Sequence, residues 1–224
     1  RLTSLLVRKY ATARKFSTQR HQVTQSIKVD ALPQKQRERA LLILQAASEV
    51  FARDGYASFT LRRIADEAGV QLKSLQRLFP TKQALLDTVI DHVLRSYYNW
   101  TFDPQVSAED NLTAFVDYLL CDLRDPFTAR FFPELWALGG RDDRTGEAMD
   151  ELYAEEIGRL TEMVQRVNTK LSPRTARLRA TMIAMSIEGL ILMIGSNRPN
   201  HADHEGLVDE VKMRILDIVL APST

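Results

Sequence analysis

The sequence predicts an all-α protein with a small helical head followed by a larger helical body, about nine helices in total. Three observations carry this. Apolar residues recur at spacings of three and four through most of the chain from Gln36 onward, and no stretch shows sustained strand alternation. Turn-forming pairs punctuate the chain: Asp103-Pro104, Asp125-Pro126, Gly139-Gly140 and Ser172-Pro173. Apolar content is 45% over 224 residues, enough to bury a core without covalent staples.

The elements can be justified in order. Residues 1–35 form a basic arm in which Asp30 is the first acid. It is rich in Arg, Ser and Thr, with Leu2, Leu5, Leu6, Tyr10, Ala13 and Phe16 at near-helical spacing. This composition suits a mobile or partly helical arm, an arm docked on DNA or a partner, or a targeting segment. The head follows over 36–81. In its first helix Ala40, Ile43, Leu44, Ala47, Val50 and Phe51 make one apolar stripe, and Gly55 stands where a helix ends on a positive φ. Thr60 caps a second helix, which Gly69 ends. A third short helix carries Leu72, Leu75 and Leu78 and stops at Phe79-Pro80, because the residue before proline is pushed out of the α region. Thr81 caps a linking helix over 82–98, the first element of a helical body spanning 82–224. Further helices are expected at 108–124, 127–138, 144–170, 174–196 and 205–220.

Function is suggested first by charge. The formal net charge of +1 hides an asymmetry: residues 1–100 hold 17 Lys/Arg and 8 Asp/Glu, net +9, while residues 101–224 hold 13 and 21, net −8. A basic front half implies a polyanionic partner for that half. The local pattern sharpens this. Two helices that cross steeply over a short turn need a small residue at the crossing, a residue comfortable at positive φ in the turn, and a branched apolar residue to fill the wedge. Ala65, Gly69 and Leu75 supply these in that order. The outer side of the following helix then presents Gln71, Lys73, Ser74, Gln76 and Arg77, residue types that pair with base edges or phosphates, and residues 71–78 contain no acid. Thr60 and Lys82 stand at helix N-termini, whose backbone N–H groups attract phosphate, and Arg37, Arg39, Arg62 and Arg63 add positive charge. Double-stranded DNA is the expected partner.

The stretch "ILQAASEVFARDGYASFTLRRIADEAGVQLKSLQRLFPTKQALL", residues 43–86, resembles the DNA-binding head of TetR-type transcriptional regulators. The resemblance runs through Ala47, Phe51, Gly55, Thr60, Ile64, Ala65, Ala68-Gly69-Val70, Leu75, Phe79-Pro80, Lys82 and Leu85. It implies a homodimer with a helical C-terminal half that binds an effector, and it implies phosphate contacts for Thr60 and Lys82. Gln76 stands where the family usually has an aromatic residue that often touches phosphate, so that contact does not carry over. Lys73 replaces an often small residue, and Leu78 an aromatic one.

The body offers candidates for the effector site. Phe115, Phe131, Phe132, Trp136, Met163, Met182 and Met185 are large side chains on expected inner faces, and they imply a hydrophobic or aromatic small molecule. The same residues could simply form core. Glu188 is an isolated acid in the apolar stretch 178–196, suited to holding a cationic or hydrogen-bonding group or to pairing with an Arg across a dimer. That stretch is apolar nearly all round, so a symmetry mate is expected to cover part of it in a two-fold four-helix interface. Tilting of the 82–98 helix by ligand at its Tyr97–Trp100 end is the expected switch.

Other chemistries find little support. His201, Asp203 and His204 lie in a polar loop with no evident fourth ligand, and no nucleophile motif, phosphate loop or dinucleotide fingerprint occurs, so neither a metal, a cofactor nor an enzymatic role is expected. Paired acids such as Glu155-Glu156 fit a solvated helix face. The single Cys121 cannot form an internal disulfide, and the longest apolar run is too short to span a membrane, so a cytoplasmic protein is expected. The expected function is a DNA-binding transcriptional regulator, a repressor controlled by a hydrophobic effector. The alternative is a DNA-binding structural or spatial-control protein that uses the same head without an effector.

Overall fold

The computed structural model describes residues 27–97, 102–194 and 206–222. Among these residues there are nine α-helices and no strand, as the periodicity predicts. They are α1 (Gln34–Ser58), α2 (Leu61–Glu67), α3 (Leu72–Leu78), α4 (Lys82–Tyr97), α5 (Ala108–Asp122), α6 (Thr128–Gly139), α7 (Asp143–Val167), α8 (Pro173–Ile194) and α9 (Leu207–Leu220). Most of the arm, the Tyr98–Trp100 end of the linking helix and the His201–His204 loop lie outside the described residues.

The chain divides into two compact units, residues 1–100 with 134–148, and residues 101–133 with 149–224. Helix α4 and the α6–α7 turn belong with the head, and α6 crosses the division at Pro133, a residue that removes a helical N–H wherever it stands inside a helix.

In the first unit, α2 and α4 pack on α1 and α3 packs on α2. Ile43, Leu44, Phe51, Ile64, Leu75 and Leu85 are fully buried at the centre. Phe51 and Phe59 meet edge to face at 6.0 Å. Gly55 breaks α1 at φ 76°, ψ 170°, and Gly69 takes φ 64° between α2 and α3, so both turns are of the kind the sequence calls for. Thr60 Oγ1 accepts from Arg63 N, and Thr81 Oγ1 from Ala84 N, which satisfies one otherwise orphaned N–H at each helix start. The last part of the arm is tied to this unit, since Ile27 N donates to Thr88 Oγ1 at 3.0 Å.

In the second unit, α9 packs on α8 and α5. Leu112, Phe115, Phe131, Leu160, Ile183 and Ile191 are buried in it. The rings of Phe127 and Phe131 stack at 5.1 Å. Helix α9 ends on side chains from elsewhere in the unit: Arg179 donates to the carbonyls of Val219, Ala221 and Pro222, and Asn168 Nδ2 to Val219 O. Those bonds close the orphaned carbonyls of its last turn.

Candidate nucleic-acid interface

The site is built outward from Leu75. This side chain is fully buried where α3 packs on α2, and the small Ala65 of α2 is 1% exposed. Fixing Leu75 inward leaves the opposite arc of α3 outward, because each residue turns the helix by about 100° and Lys73, Ser74, Gln76 and Arg77 all fall about 100° or more away from Leu75. Gln71, Lys73, Gln76 and Arg77 are accordingly exposed and Ser74 is half-exposed. The five residues predicted for base and phosphate contact therefore share one open surface, and no acid lies among them.

The surrounding charges are less uniform than the sequence implies. Arg37, Arg39 and Arg62 are exposed. Arg63 is not available in the same way: its Nη2 donates to Asp54 Oδ2 at 2.8 Å. Arg53 completes the cluster, bonding both Asp54 (2.9 Å) and Glu67 (3.1 Å). Hydrogen bonds from Arg53 and then Arg63 hold the Asp54 carboxyl down to about 2. The cluster ties the end of α1 to α2 and pairs Asp54 and Glu67 with cations.

Thr60 is exposed at the start of α2 with its hydroxyl turned to its own helix. Lys82 is half-buried at the start of α4. Its Nζ donates to Tyr56 O at 3.2 Å and stands 3.7 Å above the Tyr56 ring, and burial lowers its pKa. The ammonium group is thus bound within the head. Glu134 of α6 grips the same turn, accepting from Tyr56 N at 2.6 Å. A methyl group on Gly55 would stand 3.2 Å from Glu134 Oε1. Sequence reasoning missed Tyr56 and Glu134. They are 78 positions apart, and no local pattern links them.

Residues 43–89 match the family described as bacterial regulatory proteins, tetR family. The chain carries the helix-turn-helix head of the TetR family. Two curated relatives have related sequences. The HTH-type transcriptional regulator LuxR of Vibrio harveyi is 29% identical over 86 residues, 37% of this chain and 42% of LuxR. The HTH-type transcriptional repressor KstR2 of Mycolicibacterium smegmatis is 28% identical over 123 residues, 55% of this chain and 52% of KstR2. The chain thus spans about half the length of the curated relatives it matches. The fold likeness extends beyond the TetR-family head: a protein from Saccharomonospora viridis, described as a transcriptional regulator and solved in complex with choline, superposes with TM-score 0.66 at 17% identity, covering 81% of this chain and 95% of that one.

The candidates for an effector site separate in the structure. Phe115, Phe131, Phe132 and Met163 are buried in the second unit, whereas Trp136 is half-buried and belongs to the first. Met182 and Met185 do not line an interior, for they are 50% and 68% exposed. The buried arc of α8 is Ala176, Ala180, Ile183, Ala184, Ile187, Leu190 and Ile191, and the two methionines project from the other side of the helix. Glu188 stands on the shoulder of the buried arc. Its Oε2 is buried without a hydrogen-bond partner, and so is Oε1 of Glu156 on α7. Burial foremost, and then the charge of Glu156, push Glu188 up to about 8; burial pushes Glu156 up to about 7. Glu156 had been expected on a solvated face. It is instead half-buried, with its Oε1 covered, one turn from the buried Leu152 and Leu160.

Proposed function

We propose that this chain is a sequence-specific DNA-binding transcriptional regulator, a repressor whose operator affinity is set by a small organic effector. The observation that carries the reading is the open, acid-free face of α3. Glutamine, serine and two cations at 71, 73, 74, 76 and 77 are exposed together, while Leu75 anchors the helix from behind. Such a face offers both direct base readout and phosphate neutralisation.

The reading includes a homodimer on an inverted repeat. Leu178, Met182, Met185 and Leu192 are each between 45% and 68% exposed and fall at spacings that form one stripe along α8. Gly189 lies in the same stripe with open space around its Cβ position, which lets a partner backbone come close. Met213 and Leu220 of α9 are exposed as well. Covering such a stripe with its symmetry mate gives a two-fold four-helix interface. Half-sites about one DNA turn apart, ~34 Å, follow from the two-fold. Support for an effector comes from the buried Phe115, Phe131, Phe132 and Met163 of the second unit and from Glu156 and Glu188, each with one carboxylate oxygen buried without a hydrogen-bond partner. The relative solved with choline shows that a protein of this fold can be isolated with a small organic ligand. Repression is favoured by the naming of KstR2 as a repressor.

Selection of genomic fragments by the purified full chain tests the reading. Enrichment of an inverted repeat, lost on replacing Gln76 and Arg77 by alanine, supports it. Equal retention of all fragments at physiological salt sinks it.

A further inference from the structure

The second unit holds a feature that DNA binding does not use. Glu156 is half-buried on α7, in line with the buried Leu152 and Leu160 one turn away on either side and Met163 two turns on. Glu188 comes from α8, beside the buried Ala184 and Ile191. The two carboxyls are close enough for their charges to interact, and Tyr153, one turn before Glu156, bonds the Glu188 side chain. Yet Oε1 of Glu156 and Oε2 of Glu188 each expose less than 1 Å² and have no hydrogen-bond partner. A buried carboxylate without a partner is strongly disfavoured, and two facing each other are worse.

We propose that Glu156 and Glu188, with the Tyr153 hydroxyl between the helices, seat the positively charged nitrogen of a small organic cation that carries an apolar tail. This rests on the effector reading above and gives it a ligand class. Three chemical facts point to a cation. Ionised carboxylates only accept, so what satisfies both is a donor or a positive charge. Counter-charge is one-sided: Arg159, which also bonds Glu155 at 3.0 Å, acts on Glu156, and no cation is among the groups that act on Glu188. Apolar neighbours on both helices suit an alkyl or aryl tail. A metal ion fits less well, because no group of three or more metal-binding side chains exists among the described residues.

Proton linkage gives the proposal a signature. With no cation present Glu188 is mostly protonated at neutral pH and Glu156 about half so, since burial raises both. A cation favours the ionised pair, so binding releases protons, and a ligand of fixed charge binds more tightly as pH rises from 6 toward about 8.5. A neutral ligand of the same length has no such dependence.

The test uses the full chain with hexyltrimethylammonium, hexylamine and 1-hexanol, followed by calorimetry at both pH values and by operator-binding assays. At the higher pH the two cations should bind about tenfold more tightly than hexanol. The quaternary ammonium should gain about tenfold on raising the pH, and protons should appear in the buffer-dependent heat. Glu188→Gln and Glu156→Gln should each remove that gain while the proteins still melt cooperatively. Hexanol binding as tightly as the cations, cation binding untouched by both substitutions, or no binding of any of the three overturns the cation seat. The effector reading is scored separately. Cations that bind through Glu188 and leave operator affinity unchanged refute it and keep the seat, and hexanol that binds best and shifts operator affinity does the reverse.

Discussion

Single side chains decide what the head can read and how firmly it is held. Gln76 is exposed on α3 and forms no part of the core, so Gln76→Ala should leave the melting temperature within about 1–2 °C and change the order of preferred operators. Arg77→Ala should weaken binding to all sequences and lower the salt slope by about 1, measured by anisotropy titrations at several ionic strengths. Lys82 should behave differently. Its Nζ is occupied by Tyr56, so Lys82→Ala should cost about 1 kcal/mol of stability and weaken DNA binding while leaving the salt slope unchanged. A slope reduced by about 1 would show that the ammonium group leaves Tyr56 for phosphate. Glu134→Ala removes the acceptor of Tyr56 N and should destabilise the protein by about 1.5–3 kcal/mol, read by chemical denaturation. Gly55, Thr60 and Gly69 were legible in the sequence because each answers a local backbone demand. The engagement of Lys82 and the role of Glu134 were not. They depend on a contact between residues far apart in the chain, and no local pattern encodes it.

At the level of elements, the clearest reassignment concerns α8. Its residues 178–194 are apolar nearly all round, and periodicity cannot say which side of such a helix faces its own chain. The packing of α9 on α8 decides it. Ala176, Ala180, Ile183 and Ala184 turn inward, and Met182 and Met185 turn out. Met185→Glu therefore costs little within the chain but places a charge in the expected interface. Light scattering at micromolar concentration should give a dimer mass for the parent protein and a monomer mass for the variant, with helicity retained. A monomeric parent protein would remove the two-fold from the account. Helix α7 carries the opposite lesson. Glu155-Glu156 looks like a solvated acidic pair in the sequence, and Glu155 does bond Arg159 at the surface. Glu156 falls 100° further round, onto the line of Leu152 and Leu160, where the helix is buried. Helix identities and most ends follow from caps and turn residues that are local: Ser107, Asp142 and Ser172 each accept from the N–H three residues on.

Across the whole molecule, the chain separates a basic front half from an acidic rear half, and this asymmetry is legible in the sequence. The assignment of α4 and residues 134–148 to the head unit was not legible, since it follows from packing and not from composition. The buried acids give the molecule a pH signature. Glu156 and Glu188 have folded values of about 7 and about 8, above their ordinary value of 4.5. Their contribution to stability is therefore complete below about pH 4.5 and is lost as pH rises through 7 and 8. The loss is on the order of 1.4 kcal/mol per pH unit for each group within that window. The melting temperature should fall from pH 5 to about pH 8.5, and Glu188→Gln should flatten the fall and melt higher than the parent at the alkaline end. A variant that melts lower at both ends would mean that Glu188 is stabilised by a partner. The central claim, that the face of α3 reads DNA sequence, is tested most directly by one titration. Full-length protein is added to a labelled fragment selected from genomic DNA, with random-sequence DNA of equal length as competitor at physiological salt. The account predicts an inverted repeat bound about 10³-fold or more above the competitor, with that ratio reduced by Gln76→Ala. Equal affinity for the two DNAs would contradict it.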